Sequence, residues 1–129
     1  KKYLKKIESS TNKIIIKLKD YNIKYPQINE FPYQKRGIII NKILIKATLE
    51  ILNDAPDYEL PQNARNAIRS QTPDGLDRRI KERLKTDLRT ANIITDELEK
   101  IGVVENVYIK NYKTGRTIKG TKLLDEWRL

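Results

Sequence analysis

Residues 89–104 read RTANIITDELEKIGVV, and their pattern decides the predicted fold. Four apolar residues recur there at spacings of three, four and three, namely Ala91, Ile94, Leu98 and Ile101. This spacing predicts an amphipathic helix with one buried face. Gly102 is expected to end the helix, and the β-branched pair Val103-Val104 to begin a strand. The stretch therefore predicts a short helix that is joined directly to a strand.

A second helix is predicted just upstream, in residues 72–86, TPDGLDRRIKERLKT. Thr72 is expected to cap its start, and Pro73 suits a first helical position. An i, i+4 stripe would face the core, formed by Leu76, Ile80 and Leu84. Basic residues would occupy the opposite side, namely Arg78, Arg79, Lys81 and Arg83. We expect the i, i+4 pair of Asp77 and Lys81 to stabilise this helix at its surface. Thr86 is expected to cap the helix that follows.

The residues after Gly102 read as a strand, VYIKN, a basic turn, NYKTGR, and a second strand within RTIKGTKLLDEW. Two short helices, a strand and a basic turn in this order are typical of a winged helix-turn-helix. In that arrangement the first helix braces the second, which is narrow enough to enter the major groove of DNA. The strand pair holds its turn, the wing, beside the groove.

The N-terminal half is predicted to be helical. Residues 1–21 carry apolar residues at helical spacing, although Ile14-Ile15-Ile16 would also suit a strand. Pro26 and Pro32 mark a connector. Residues 37–52 predict a core helix with a stripe of Ile40, Leu44, Ala47 and Ile51, widened by Ile43. A short helix opened by Pro61 is expected in residues 61–70.

These elements predict a single domain, 1–129, that is mainly α with a small β-wing. A winged helix-turn-helix in residues 59–129 would be preceded by additional N-terminal helices. We expect residues 1–58 to form that helical part, which would serve packing or dimerisation.

The composition restricts the possible functions. The chain has 129 residues and a formal net charge of +10. Such a basic protein is expected to bind a polyanion. Nucleic acid is the first candidate, and an anionic membrane surface or a role in the ribosome are the alternatives. It has no Cys and no His, so thiol and imidazole chemistry are excluded, and no metal or cofactor is expected. No apolar run reaches the roughly 18 residues of a membrane span, and no signal peptide is recognisable. We expect a cytoplasmic location. The chain begins at Lys1, as expected of a piece of a longer protein.

Residues 72–127 resemble known DNA-binding families. The helix ending Leu98-Glu99-Lys100, Gly102-Val103-Val104 is similar to the end of the recognition helix in MarR-type repressors. The segment TIKGTKLLDEW resembles the region after the wing in the same superfamily, through Thr117, Lys119-Gly120 and Leu123-Leu124. Residues 80–106 are also similar to the gamma domain of FtsK-type DNA translocases, where Arg89 and Ala91 fit an Arg-x-Ala helix start. The resemblance implies a winged helix-turn-helix that binds double-stranded DNA.

Three groups of residues are candidates for DNA contacts. The outer face of the reading helix is predicted to carry Arg89, Thr90, Asn92, Ile93 and Asp96. Arg and Asn side chains pair bidentately with guanine and adenine, and an Ile contacts a thymine methyl group. The wing would offer phosphate contacts from Lys110, Lys113, Arg116 and Lys119, with Gly115 in its turn. Arg78 and Arg79 of the bracing helix would contact the backbone. Each group has a plainer interpretation as solvated helix surface or as an ordinary β-hairpin.

The sequence therefore predicts a DNA-binding protein that is not an enzyme, such as a transcription regulator or a plasmid or phage replication or partition factor, acting as a homodimer. A protein-interaction module of the same fold is an alternative, because Asp96, Glu97 and Glu99 would make one side of the reading helix acidic. A non-catalytic, DNA-binding piece of a primase, helicase or translocase is another.

Overall fold

The computed structural model describes residues 2–24, 31–64, 68–110 and 114–129. Within these ranges the helices are α1 (Lys2–Lys24), α2 (Lys42–Asp54), α3 (Leu76–Leu84) and α4 (Ala91–Lys100). The strands are β1 (Tyr33–Lys35), β2 (Ile38–Ile40), β3 (Glu59–Pro61), β4 (Val104–Lys110) and β5 (Thr117–Leu123). Short 3-10 turns cover Pro56–Tyr58, Arg69–Gln71 and Asp125–Trp127.

Helix α1 packs along α2 through one face. That face is fully buried and consists of Ile7, Thr11, Ile14 and Leu18. The predicted helix is confirmed, and the alternative of a strand at residues 14–16 is wrong. Three β-branched residues in a row lower the intrinsic helix propensity only slightly, and burial of the stripe outweighs that cost.

A β-hairpin precedes α2, and it replaces the first turn of the predicted core helix. Ile38–Ile40 pairs with Tyr33–Lys35 across the two-residue loop Arg36-Gly37. Helix α2 begins only at Lys42, where the Asn41 side chain accepts a hydrogen bond from the amide of Leu44 at 2.9 Å. Ile40 is therefore a buried strand residue. Ile43 is 66% exposed and does not widen the buried stripe, contrary to the prediction.

The second sheet is antiparallel with the strand order β3-β5-β4. Strands β4 and β5 pair along their whole length, from Val104 opposite Leu123 to Lys110 opposite Thr117. Strand β3 pairs with the second half of β5, where Pro61 lies opposite Gly120. The predicted helix opened by Pro61 is wrong at its start, because Pro61 ends an edge strand, a position that needs no amide donor. Residues 65–67 of that prediction lie outside the described residues.

Helix α3 begins at Leu76, three residues after the predicted first helical position, Pro73. Thr72 does not cap it, since the Thr72 hydroxyl donates to the carbonyl oxygen of Ile68 at 3.0 Å. Gly75 precedes the helix and lies so close to β3 that a Cβ atom would stand 2.6 Å from the carbonyl oxygen of Pro61. Glycine is needed there because the two backbone segments touch.

The apolar stripe of α4 and its junction to β4 match the prediction, but its start does not. The helix begins at Ala91, and Thr86, which was predicted to cap it, instead accepts a hydrogen bond from the amide of Leu88 at 3.2 Å. The amide of Gly102 donates to the carbonyl oxygen of Glu99 at 3.1 Å, and the amide of Val103 to that of Leu98 at 3.0 Å. These two bonds form a Schellman motif, and Gly102 adopts the positive φ of +76° that the motif requires. Buried Val103 and Leu98 supply the apolar residues that accompany such an ending.

The observed fold is thus a mixture of helices and two small antiparallel sheets in the part of the chain that is described. It is compatible with a helical domain that carries a small β-wing. Helix α2 contacts α1, α3 and β5 and so lies at the centre of the core. Trp127 is buried in this core as well, in the 3-10 turn Asp125–Trp127. The division of the chain at residue 58 stays a prediction.

Candidate nucleic-acid interface

The start of α4 is held by a side chain from α3. One carboxylate oxygen of Asp77, Oδ1, accepts hydrogen bonds from the amides of Thr90 and Ala91, each at 2.9 Å. These amides belong to the first turn of α4, which has no partners within its own helix. A carboxylate there also interacts favourably with the positive end of the helix dipole. Asp77 therefore fixes α4 relative to α3.

The second oxygen of the same carboxylate forms a fully buried ion pair. Lys81 Nζ lies 2.7 Å from Asp77 Oδ2, and both side chains are 0% exposed. The ammonium also donates to the Thr72 hydroxyl at 3.1 Å. The pair predicted from the sequence exists, but it is not a surface pair. The placement of Lys81 among the outward-facing basic residues of α3 is wrong, because the side chain turns inward to neutralise Asp77.

Gln62 connects the sheet to both helices from a buried position after β3. Its Nε2 lies 2.9 Å from the Thr121 hydroxyl of β5 and 3.1 Å from the Thr95 hydroxyl of α4. Its backbone carbonyl accepts a hydrogen bond from the amide of Asp77 at 3.0 Å. The position of the β4–β5 hairpin relative to α4 is therefore set by hydrogen bonds as well as by apolar packing.

The β1–β2 hairpin is attached to another side of α4 through a buried glutamate. Tyr33 donates to Glu97 Oε1 at 2.8 Å, while Lys35 and Lys100 approach Oε2 at 3.1 and 2.8 Å. Burial alone would raise the pKa of Glu97, but the hydrogen bonds from Lys100, Tyr33 and Lys35 together lower it below its usual range. Burial and the contact with Glu97 raise the pKa of Tyr33, which keeps the phenol protonated as a donor. The hairpin is thus anchored by an ionised carboxylate.

A groove runs between the tip of the β1–β2 hairpin, strand β5 and the side of α4 that carries Asn92 and Asp96, here called the ridge of α4. It encloses about 460 Å³. Its polar and charged lining comprises Arg36, Gln62, Asn63, Arg89, Asn92, Asp96 and Lys119. The structure therefore brings together four of the residues predicted to contact DNA, from the predicted reading face and the predicted wing. They are Arg89, Asn92, Asp96 and Lys119.

Fewer residues of the predicted reading face are exposed than the sequence suggested. Thr90 and Ile93 are only 3% and 5% exposed, so neither can contact a partner as predicted. The Thr90 amide and hydroxyl face Asp77, and Ile93 lies one turn before Glu97 on the side of α4 that faces the hairpin. A second covered side on α4 could not be expected from the sequence pattern, because the hairpin that covers it was not predicted.

The remaining residues of that face lie at the surface. Arg89 is exposed, and Asp96 is half-buried beside Arg36, whose guanidinium lies 3.3 Å from its Oδ2. Asn92 is half-buried, and its Oδ1 is buried with no hydrogen-bond partner among the described residues. The Oδ1 atom of Asn92 is therefore not held by an internal hydrogen bond to another described residue.

The two other candidate groups differ from each other. In the wing, Lys110, Arg116 and Lys119 are exposed, and Lys113 lies outside the described residues. In α3, both arginines are engaged with acidic neighbours, Arg78 with Glu82 at 2.6 Å and Arg79 with Asp74 at 3.2 Å. Hydrogen bonds from Arg79 lower the pKa of Asp74. The wing residues are available for phosphate contacts, whereas Arg78 and Arg79 would have to exchange existing partners.

Sequence reasoning missed Arg36. The available signal was Arg36-Gly37 between two runs that read YQK and III, a two-residue loop that includes a glycine. The isoleucine run was instead assigned to the helix that follows it.

The described residues contain no cluster of acidic side chains arranged for a metal ion. In the same residues, no helix is long and apolar enough to cross a membrane. Comparison with family models, curated proteins and solved structures found no match to this chain.

Proposed function

We propose that this protein binds double-stranded DNA through a winged helix-turn-helix formed by α2, β3, α3, α4, β4 and β5. In this assignment α4 is the reading helix and the β4–β5 hairpin is the wing. The order of elements supports it, since a helix, an edge strand and two further helices precede a hairpin whose second strand pairs with that edge strand. The resemblance of residues 72–127 to MarR-type repressors and to the translocase gamma domain agrees with the same assignment.

The observation that carries the proposal is the groove beside α4. Arg89, which lies two residues before α4, and Asn92 of α4 line it together with Lys119 from strand β5. A helix that reads base edges and a hairpin that contacts the backbone must approach one duplex from one side. These residues meet that condition, and the excess of basic residues in the whole chain favours an anionic partner.

The alternative of a protein-interaction module rested on an acidic side of α4. That side is largely engaged within the chain. Glu97 is buried among cationic and phenolic donors, Asp96 faces Arg36, and Glu99 Oε2 accepts a hydrogen bond from the amide of Asn106 at 3.2 Å. A free acidic stripe is therefore not what α4 presents. DNA binding is the function that we carry forward.

The test is the binding of a labelled duplex, measured by fluorescence anisotropy across a series of salt concentrations. If the wing neutralises several phosphates, the logarithm of affinity should fall linearly with the logarithm of salt, with a slope of about −0.9 per phosphate contact. The double variant Lys110→Ala/Arg116→Ala should weaken binding and make the slope shallower by about two contacts. Lys13→Ala/Lys19→Ala, which removes the same charge from the exposed face of α1, is the matched control. Absence of binding at low salt, or identical slopes for both double variants, would overturn the proposal.

A further inference from the structure

The tip of the β1–β2 hairpin places an arginine where α4 would meet a duplex. Arg36 is 60% exposed and lines the same groove as Arg89, Asn92 and Lys119. The hairpin is not a loose appendage, because Tyr33 and Lys35 bind the buried carboxylate of Glu97 on α4. Arg36 is the residue next to Lys35, so its backbone is held at a fixed distance from the ridge of α4.

The side chain of Arg36 is also oriented. One of its terminal nitrogens lies 3.3 Å from Asp96 Oδ2, and Asp96 belongs to the exposed ridge of α4. This contact occupies one edge of a guanidinium that has several donors in a fixed planar fork. Because the Asp96 carboxylate binds only one edge of the guanidinium, another edge is left to donate two hydrogen bonds to a planar partner with two acceptors.

The backbone conformation at Arg36 indicates that arginine is not a residue that the turn itself favours at this position. Arg36 and Gly37 have φ values of +49° and +83°, as in a two-residue hairpin loop in which both residues are left-handed. Asn or Gly is favoured at the first position of such a loop, and an arginine there costs conformational energy. An arginine at this position therefore has to be explained by what its guanidinium contacts.

We infer that Arg36 reads a guanine in the major groove, with Asp96 as the residue that positions it. The inference rests on the proposed function. Guanine presents two acceptors, O6 and N7, at the spacing of two guanidinium donors. A carboxylate beside the arginine lowers the net charge of the pair, which weakens attraction to a phosphate but leaves the directional contact to a base edge intact. The hairpin thereby adds a third element to the surface formed by α4 and the wing.

The experiment begins with selection of duplexes from a random pool by the wild-type protein. The affinity for the preferred duplex is then compared with its affinity for duplexes that carry single base changes. Arg36→Asn is the central variant, because Asn-Gly is the favoured sequence for this loop and the hairpin should fold at least as well. It should reduce the preference for guanine at one position by about 5- to 150-fold, the range for one bidentate contact, and leave the other positions unchanged.

Two further variants separate base reading from charge. Arg36→Lys retains the positive charge but lacks the planar fork, and it should lose the same guanine preference. Asp96→Asn should also reduce that preference, while the affinity for unrelated duplexes rises because a negative charge has left the interface. If Asp96 contributed only its charge and did not position Arg36, the affinity for unrelated duplexes would rise but the guanine preference would stay unchanged. Lys13→Asn, on the exposed face of α1, is the control for loss of one charge.

The outcomes distinguish this inference from the proposed function. If the wild-type protein binds no duplex, the proposed function is wrong and the inference falls with it. If the wild-type protein binds duplexes but Arg36→Asn weakens all of them equally, or Arg36→Lys behaves as wild type, Arg36 contacts phosphate and only the inference is overturned. Binding without any base preference overturns the inference in the same way.

Discussion

Asp77 of α3 accepts a hydrogen bond from the backbone amide of Thr90 at 2.9 Å, and it thereby holds the first turn of the helix that we assign to DNA reading. The same carboxylate is neutralised by Lys81, 2.7 Å away and equally buried. Breaking a buried ion pair by removing one partner leaves an uncompensated charge, which typically costs about 3–5 kcal/mol. The orientation of α4 should therefore depend on a charge pair that no partner of the protein can reach.

The first prediction is that this pair is strongly coupled. Asp77→Asn retains an oxygen that can accept from the amides of α4 but removes the negative charge that balances the buried Lys81 ammonium, so the free energy of unfolding should fall by about 3–5 kcal/mol. Lys81→Met should cost a similar amount. The double variant should recover much of the loss, because it removes both charges and keeps the acceptor. Urea denaturation measures all three. Additive effects of the two substitutions would contradict the coupling.

The second prediction concerns the pH dependence of stability. The folded-state pKa of Glu97 is lowered relative to its ordinary value of 4.5, although burial opposes the shift, because hydrogen bonds from Lys100, Tyr33 and Lys35 favour the ionised form. A lowered folded pKa contributes stability that is fully present above the unfolded value and is lost as the pH falls through the folded value. Glu97→Gln should therefore be less stable than wild type near neutral pH, by about 1.5–3 kcal/mol. The difference should shrink below about pH 4.5.

The free energy of unfolding of the wild type and of Glu97→Gln, measured by denaturation from pH 7 to pH 2.5, tests this prediction. Glu126→Gln, at an exposed site in the last 3-10 turn, serves as the control and should leave the stability difference near zero at every pH. A difference between wild type and Glu97→Gln that stays constant across the range would mean that ionisation of Glu97 is not what anchors the hairpin.

The sequence was sufficient where structure is decided locally. The stripe of α4, the glycine that ends it and the β-branched pair after it are consecutive signals, and each is reproduced in the fold. Strands β4 and β5 were predicted for the same reason, since their apolar residues lie within two short neighbouring segments. Local signals also located α1, whose buried stripe has the expected helical spacing.

The sequence was insufficient where pairing is distant. Strand β3 has only three residues and is formed by pairing with β5, about 60 residues away along the chain. The β1–β2 hairpin is local and was missed for a different reason, because the isoleucine run of β2 also suited the helix that follows it. Burial of charge was missed for a related reason. Asp77 and Lys81 follow Leu76 and Ile80 directly in the sequence, and an exposed i, i+4 pair would show the same spacing as this buried one. What distinguishes the buried pair from an exposed one is that the Asp77 carboxylate also binds the amides of Thr90 and Ala91, which the i, i+4 spacing does not show.

The third prediction is the homodimer, which no contact in the structure tests. The apolar stripe of α1 and Trp127 are both buried within the chain, so neither is available to a dimer interface. The apolar side chains that α1 leaves exposed include Leu4 and Ile16, which border a shallow cavity beside Lys46 of α2. If the dimer forms through this face, Leu4→Lys/Ile16→Lys should convert it to a monomer. Light scattering at high protein concentration provides the measurement, and Ile43→Lys is the control at an exposed site of α2. A wild-type monomer would refute the prediction.

The last prediction separates base reading from backbone contact. Asn92 lines the groove, and once its amide rotates to bring Oδ1 to the surface, an Asn can pair with adenine through two hydrogen bonds. Asn92→Ala should cost about 1–3 kcal/mol of binding on the preferred duplex and relax the choice of base at one position. Because Asn92 Oδ1 is buried with no partner among the described residues, its removal should not destabilise the fold by loss of an internal bond.

Arg116→Ala in the wing is the matched comparison for Asn92→Ala, and the same result is expected of Lys113→Ala. Either wing substitution should weaken binding to all duplexes about equally and make the salt slope shallower by about one phosphate contact. Anisotropy titrations on the preferred duplex and on its single-base variants, at two or more salt concentrations, distinguish the two patterns in one experiment. Thermal unfolding of each variant verifies that it is folded. If folded Asn92→Ala retains both the affinity and the base preference of the wild type, α4 is a supporting helix, and its assignment as the reading helix is wrong.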